Sequence, residues 1–253
     1  MKKLMIAAAA VIGATMAQAV ESSIVGYQNI PVSENNVSMG IPTFSPVGAA
    51  TTIDIQDIKV QGGGLFGGMI QIQTLTGGGA TDETFFWIPE AEAGDYGMEG
   101  EGWWDMNTGV AAEKTFLEGE AYVLSNDYGD GATMLYNGEV LSGATAVPIS
   151  ENNVSISGNM TPSDFDIQAF VVDGESLFGG MIQIQTLTGG GATDETYFWI
   201  PEAEAGDYGM EGEGWWDMNT GVAAEKTFNA GEGFILSNDY GDGATLTIPS
   251  ALE

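Results

Sequence analysis

Nine chemically capable side chains crowd into sixteen residues: Glu90, Glu92, Asp95, Tyr96, Glu99, Glu101, Trp103, Trp104 and Asp105. The same set recurs over residues 202–217. An indole beside carboxylates suits a sugar, because the ring stacks on the sugar while the acids accept from its hydroxyls. Trp103 and Trp104 are adjacent, so in an extended chain they point to opposite faces. One indole of each pair then enters the core, and the other stays outside unless something covers it. Tyr96, Trp103 and Trp104, with Tyr208, Trp215 and Trp216, are therefore the candidate ligand-binding residues. The competing reading has the second Trp covered by the loop at 90–101 or by the other half of the chain, since large aromatics are more often buried.

A second candidate chemistry is calcium. Asn126-Asp127-Tyr128-Gly129-Asp130-Gly131 and Asn238-Asp239-Tyr240-Gly241-Asp242-Gly243 place carboxylates and amides in tight turns, as hard cations prefer. Asp127, Asp130, Asp239 and Asp242 are the candidate ligands. The helical calcium-loop pattern fails, because Tyr128 holds its third position and Asn137 or Pro249 its twelfth. A glycine-rich hairpin turn, with Asp or Asn bonded to its own backbone, explains the same residues. A third candidate, a carboxylate pair for glycoside hydrolysis, needs two acids at a set separation. Among 36 acids some pair meets almost any distance, so the pattern is uninformative and no enzyme is expected.

Other chemistries lack their residues. The chain has no Cys, His or Arg, which excludes disulfides, thiol nucleophiles, Cys-bound zinc and His-based triads. Five lysines against 36 acids give a net charge of -31, so a phosphate-binding surface has almost nothing to be made from and no nucleic-acid partner is expected. The glycine clusters at 62–68 and 77–79 lack the lysine of a phosphate loop. At 43% apolar and 10% aromatic, the sequence reads as a folded unit with an acidic skin.

The elements that must hold these residues come in two copies. Residues 65–116 recur as 177–228 with a single difference, Phe85 for Tyr197. Gly119-Glu120-Ala121-Tyr122 answers to Gly231-Glu232-Gly233-Phe234, and Pro31-Val32-Ser33-Glu34-Asn35-Asn36 to Pro148-Ile149-Ser150-Glu151-Asn152-Asn153. The upstream match has a shift of 117 and the rest 112, so five residues must be absorbed in a loop between Met39 and Ile53. Within a copy, Met69-Ile70-Gln71-Ile72-Gln73-Thr74 alternates with period two, Thr84-Phe85-Phe86-Trp87-Ile88 is β-prone, and Pro89 ends it. The expectation is all-β: two tandem antiparallel sandwich or barrel-like modules of six to eight strands, at 20–140 and 141–253. A helical turn within 53–60 is left open. Ahead of them, Lys2 and Lys3, an apolar stretch at 5–16 and Ala17-Gln18-Ala19 predict a signal peptide over 1–19, cleaved after Ala19, with no membrane span in the mature chain.

The order Asn36-Val37-Ser38, then Trp87, Gly102-Trp103-Trp104-Asp105 and a late Gly-Glu-Gly-Phe strand resembles small secreted bacterial tandem β-modules. The last signature is complete in Gly231-Glu232-Gly233-Phe234, while Ala121 breaks it in the first copy. The resemblance implies export and β architecture, and assigns no activity.

The expected role is a secreted acidic protein of a bacterial surface or matrix (the periplasm is the other compartment), associating with itself or with envelope polymers. Like modules with open edges can pair head to tail, and tandem copies raise avidity for a repetitive target. The alternative is a carbohydrate-binding module pair using the exposed Trp of each copy, with or without calcium. The partner is then a second copy or a cell-surface or extracellular polysaccharide.

Overall fold

A computed structural model describes residues 25–42, 44, 52–62, 70–76, 80–117, 119–127, 131–140, 143–174, 177–178, 182–188, 192–239 and 242–250. The expected signal peptide, most of both glycine clusters, Asp130, and most of the loop expected to absorb the length difference lie outside these residues. No helix among the described residues is long and apolar enough to cross a membrane.

The fold is all-β. In the first copy the strands are β1 (Val25–Val32), β2 (Asn36–Gly40), β3 (Thr52–Asp54), β4 (Lys59–Gln61), β5 (Ile70–Thr76) and β6 (Ala80–Ile88). They continue as β7 (Gly102–Asp105), β8 (Val110–Ala111), β9 (Thr115–Leu117), β10 (Tyr122–Asn126) and β11 (Ala132–Glu139). The second copy repeats them as β12 (Thr145–Ile149), β13 (Asn153–Gly158), β14 (Phe165–Asp166), β15 (Val171–Asp173), β16 (Ile182–Thr188) and β17 (Ala192–Ile200). β18 (Gly214–Asp217), β19 (Val222–Ala223), β20 (Thr227–Phe228), β21 (Gly233–Asn238) and β22 (Ala244–Ile248) complete it.

The described residues thus hold more strands per copy than the six to eight expected. The surplus comes from pieces of two or three residues, such as β3, β8 and β9, too short to show a period in sequence. The open question at 53–60 resolves as a 3-10 turn at Ile55–Asp57, whose first amides are capped by the Asp54 carboxylate accepting from Gln56 N at 2.8 Å.

In each copy a six-stranded sheet runs β2-β10-β5-β6-β7-β8 or β13-β21-β16-β17-β18-β19, and a three-stranded sheet runs β1-β11-β4 or β12-β22-β15. Their facing sides share a core: Val32, Val60 and Met134 from the small sheet meet Ile72, Phe85, Trp87, Trp103 and Leu124 from the large one. Alternation along each strand sends the intervening residues, among them Gln71, Phe86, Trp104, Met39 and Val123, to the outer face of the large sheet.

That outer face is divided between two uses. On the β2–β10 side, Met39, Ile41 and Ala121 are buried in one apolar cluster with Ile156, Met160 and the core of the second copy. The chain crosses there as well: Ile41 N donates to Gly231 O at 3.3 Å, and Gly40 bridges to Glu232. The contact is reciprocal in part: β2 lies beside β16 and its counterpart β13 beside β5, as for like units about an approximate two-fold axis, while β2 also lies against β21 of the other copy. The β6–β8 side carries the aromatic residues of the sequence analysis.

Candidate functional site

Placement of Trp104 begins with its neighbour. Trp103 is wholly buried, packs edge-on against Trp87 at 5.5 Å and donates its indole N–H to Ile58 O at 2.8 Å. Its backbone is gripped by Gln56, from the 3-10 turn. The Gln56 amide donates to Trp103 O at 2.8 Å and to Ala112 O at 2.9 Å, and accepts from Trp103 N at 2.9 Å. Gln168 repeats all three bonds on Trp215 and Ala224. Gly102 completes the clasp, because a Cβ there would stand 2.5 Å from the Gln56 carbonyl oxygen. With Trp103 pinned inward, the strand's alternation presents Trp104 outward.

Phe86 and Trp104 are cross-strand partners. The loop after Pro89 forms one helical turn, Glu90–Ala93, then a 3-10 turn, Gly94–Tyr96, and reverses at Gly97, whose φ of 73° favours glycine. This path brings Tyr96 edge-on to Trp104 at 5.1 Å and to Phe86 at 6.2 Å. The second copy sets Tyr208 at 5.3 Å from Trp216 and 6.1 Å from Phe198. All six rings are partly buried, each offering part of its surface to solvent. Tyr96 therefore shields Trp104 without sealing it, an outcome between the two readings of the sequence.

Glu90, Asp95, Glu99 and Glu101 stand exposed along the same loop. Asp105 does not join them. Its carboxylate accepts from Asn107 N at 2.7 Å and from the Thr108 hydroxyl at 2.9 Å, holding the β7–β8 turn, and Asp217 accepts likewise from Asn219 N. Met106, on that turn, is 65% exposed; Val110, paired with Asp105 on the opposite face of the sheet from Trp104, is 53% exposed. Phe86 and Phe198, absent from the sequence expectation, belong to the patch; their signal was the register of β6 against β7.

The acidic turns behave differently. Asp127, Asp239 and Asp242 are exposed. Gln183 Nε2 lies 3.5 Å from Asp239 Oδ2, and Asn238 Nδ2 donates to the backbone oxygen of Asp242 at 2.9 Å, a turn held by its own amide. Among the described residues no three acids gather closely enough to share a metal ion.

The single difference within the long repeat lies on the core side. Tyr197, where the first copy has Phe85, is buried, and burial followed by the nearby Glu195 and Asp217 carboxylates holds its phenol protonated well above the usual tyrosine range. Beside it Lys226 pairs with Glu232 at 2.9 Å and Glu195 at 3.8 Å, as Lys114 does with Glu120 and Glu83. Between the copies an open cleft of about 590 Å³ is lined by Ile30, Met39, Leu187, Lys226 and Glu232 among others. Its lysine is already committed to these carboxylates, which leaves an anionic ligand little to bind.

No protein family, curated protein or solved structure matches this chain.

Proposed function

We propose that the chain is an exported, acidic, non-catalytic protein of the bacterial surface or matrix that holds a neutral polysaccharide through two equivalent aromatic patches. The observation that supports this most is the trio Phe86, Tyr96 and Trp104, repeated as Phe198, Tyr208 and Trp216, partly open on a rigid sheet beside exposed carboxylates. Stacking on rings supplies apolar contact, and the acids supply acceptors for hydroxyls. A net charge of -31 disfavours anionic polymers, so an uncharged glycan is the target class. Two patches on one chain give avidity for a repeating polymer.

The test is retention on neutral polysaccharides by affinity electrophoresis. Trp104→Ala and Trp216→Ala each weaken retention, and the double variant abolishes it while keeping a wild-type far-ultraviolet spectrum. Undiminished retention by the folded double variant overturns the proposal. Self-association is the second reading, favoured by the reciprocal burial of β2 and β13 against the opposite copy.

A further inference from the structure

We infer that the seam between the two modules is exchangeable: the first module of one chain docks on the second module of another through the contacts that each chain makes internally. This rests on the self-association reading and names its surface and partner, a second copy of this chain.

The seam is built like a contact between separate subunits. It is reciprocal in part, and it buries Met39, Ile41 and Ala121 of one module with Ile156 and Met160 of the other. The partially buried Val123, Leu187 and Ile235 pack on the same cluster. Only residues 140–144 join β11 to β12, so the covalent tie is one short connection. Nothing in these contacts requires both modules to belong to one chain, and exchange of like elements is a low-cost route to dimers.

The seam is also keyed. A Cβ on Gly233 would stand 2.8 Å from Met39 Cβ, and one on Gly158 would stand 2.9 Å from Ile41 Cγ2 and 2.6 Å from Glu232 O. Each glycine of the second module thus receives a side chain of the first. The first module has Ala121 in the place of Gly233 and Ile41 in the place of Gly158, so it cannot receive its own twin equally well. Exchange therefore pairs first with second modules, either as a closed two-chain dimer or as an open run of chains. The acidic surface opposes chain encounter, and salt relieves that opposition.

The experiment uses the full chain without its signal peptide in three forms: wild type, a form lacking residues 141–143, and a form with a flexible glycine-serine insertion after Gly143. Light scattering coupled to size exclusion follows mass over about a hundredfold range of concentration, in low and high salt. The shortened connection hinders internal docking and raises the dimer fraction several-fold; the lengthened one returns the chain to monomer. Adding Gly233→Ala to the shortened form removes its dimers. Dimers insensitive to connection length and to Gly233→Ala overturn the exchange while leaving self-association standing through another surface. Monomers in every form overturn both. If the shortened form does not fold, tagged and untagged wild-type chains are refolded together from denaturant at high concentration. Mixed oligomers are expected, and unmixed monomers refute exchange.

Discussion

Gly233→Ala tests the close approach at the seam most directly. The added methyl meets Met39 Cβ at 2.8 Å, the Met39 carbonyl carbon at 3.0 Å and Gly40 N at 3.2 Å. Carbon atoms prefer roughly 3.5–4.0 Å, and two of these neighbours are backbone that no rotamer change removes, so β2 must lift away from β21 by up to about an ångström. Overpacking of this kind costs about 1–3 kcal/mol. Restricting the unfolded chain offsets roughly 0.4–1 kcal/mol. A net loss of about 1–2 kcal/mol corresponds to a fall in Tm of roughly 2–8 °C for a chain of this size. Calorimetry reads the fall, and hydrogen exchange locates it, because the Ile41 amide donates across the seam to Gly231 O and loses protection when the strands part. Ala121→Gly is the control: it also lowers Tm, by loss of a buried methyl, but leaves Ile41 protection unchanged. A Gly233→Ala chain that melts with the wild type and keeps its Ile41 protection refutes the reasoning.

Gln56→Ala removes the Gln56 partner of the Trp103 amide and of the Ala112 carbonyl, and one of the two donors to the Trp103 carbonyl, which keeps the Ala112 amide at 2.8 Å. A loss of about 1–3 kcal/mol in urea unfolding, with a red shift of tryptophan emission, is expected. Gln56→Glu rescues little, since a carboxylate cannot donate to the two carbonyls. Tyr197→Phe copies the first module and should leave stability at neutral pH within about 0.5 kcal/mol. Because the folded state raises the Tyr197 pKa above 10.0, the phenol's contribution is present below that pH and is lost as pH rises toward the folded value. Alkaline melting curves should fall less steeply for Tyr197→Phe than for the wild type. Sodium chloride should raise Tm by screening the net charge of -31, and calcium chloride at equal ionic strength should raise it equally. An excess for calcium that disappears in Asp239→Asn with Asp242→Asn would show that these turns hold the ion.

Where the sequence carries local pattern, it is informative. The alternation at 69–74, the aromatic run before Pro89 and the adjacency of Trp103 and Trp104 lead to β5, β6 and one indole on each face, because side-chain direction in a strand follows from position alone. Gln56 was not legible in that way. Its role depends on a 3-10 turn aimed at a strand 47 residues away, although Asp54-Ile55-Gln56 recurring as Asp166-Ile167-Gln168 marked the segment. Tyr96 was a candidate from the sequence, whereas Phe86 entered the patch through strand register, which composition does not encode. The seam was the least legible, since it joins faces whose contact is set in three dimensions.

Three of the positions where the copies differ lie at the seam. The long repeat, which carries Trp87, Trp103 and the aromatic patch, differs at one position, while Gln56 of the clasp lies upstream of it and recurs as Gln168. Gly40 and Ile41 against Ser157 and Gly158, and Ala121 against Gly233, lie where the modules cross. Two identical faces meeting about an axis must satisfy each contact twice with the same residues. At a separation of 2.8 Å between Met39 Cβ and the Cβ position of Gly233, a side chain fits on one strand only. Replacing glycine by a side chain on the first module, and keeping glycine on the second, turns a self-complementary face into a directional one. A chain carrying two first modules would therefore set Ala121 against Met39 on both sides of the axis and dock poorly, although each module folds around an unchanged core.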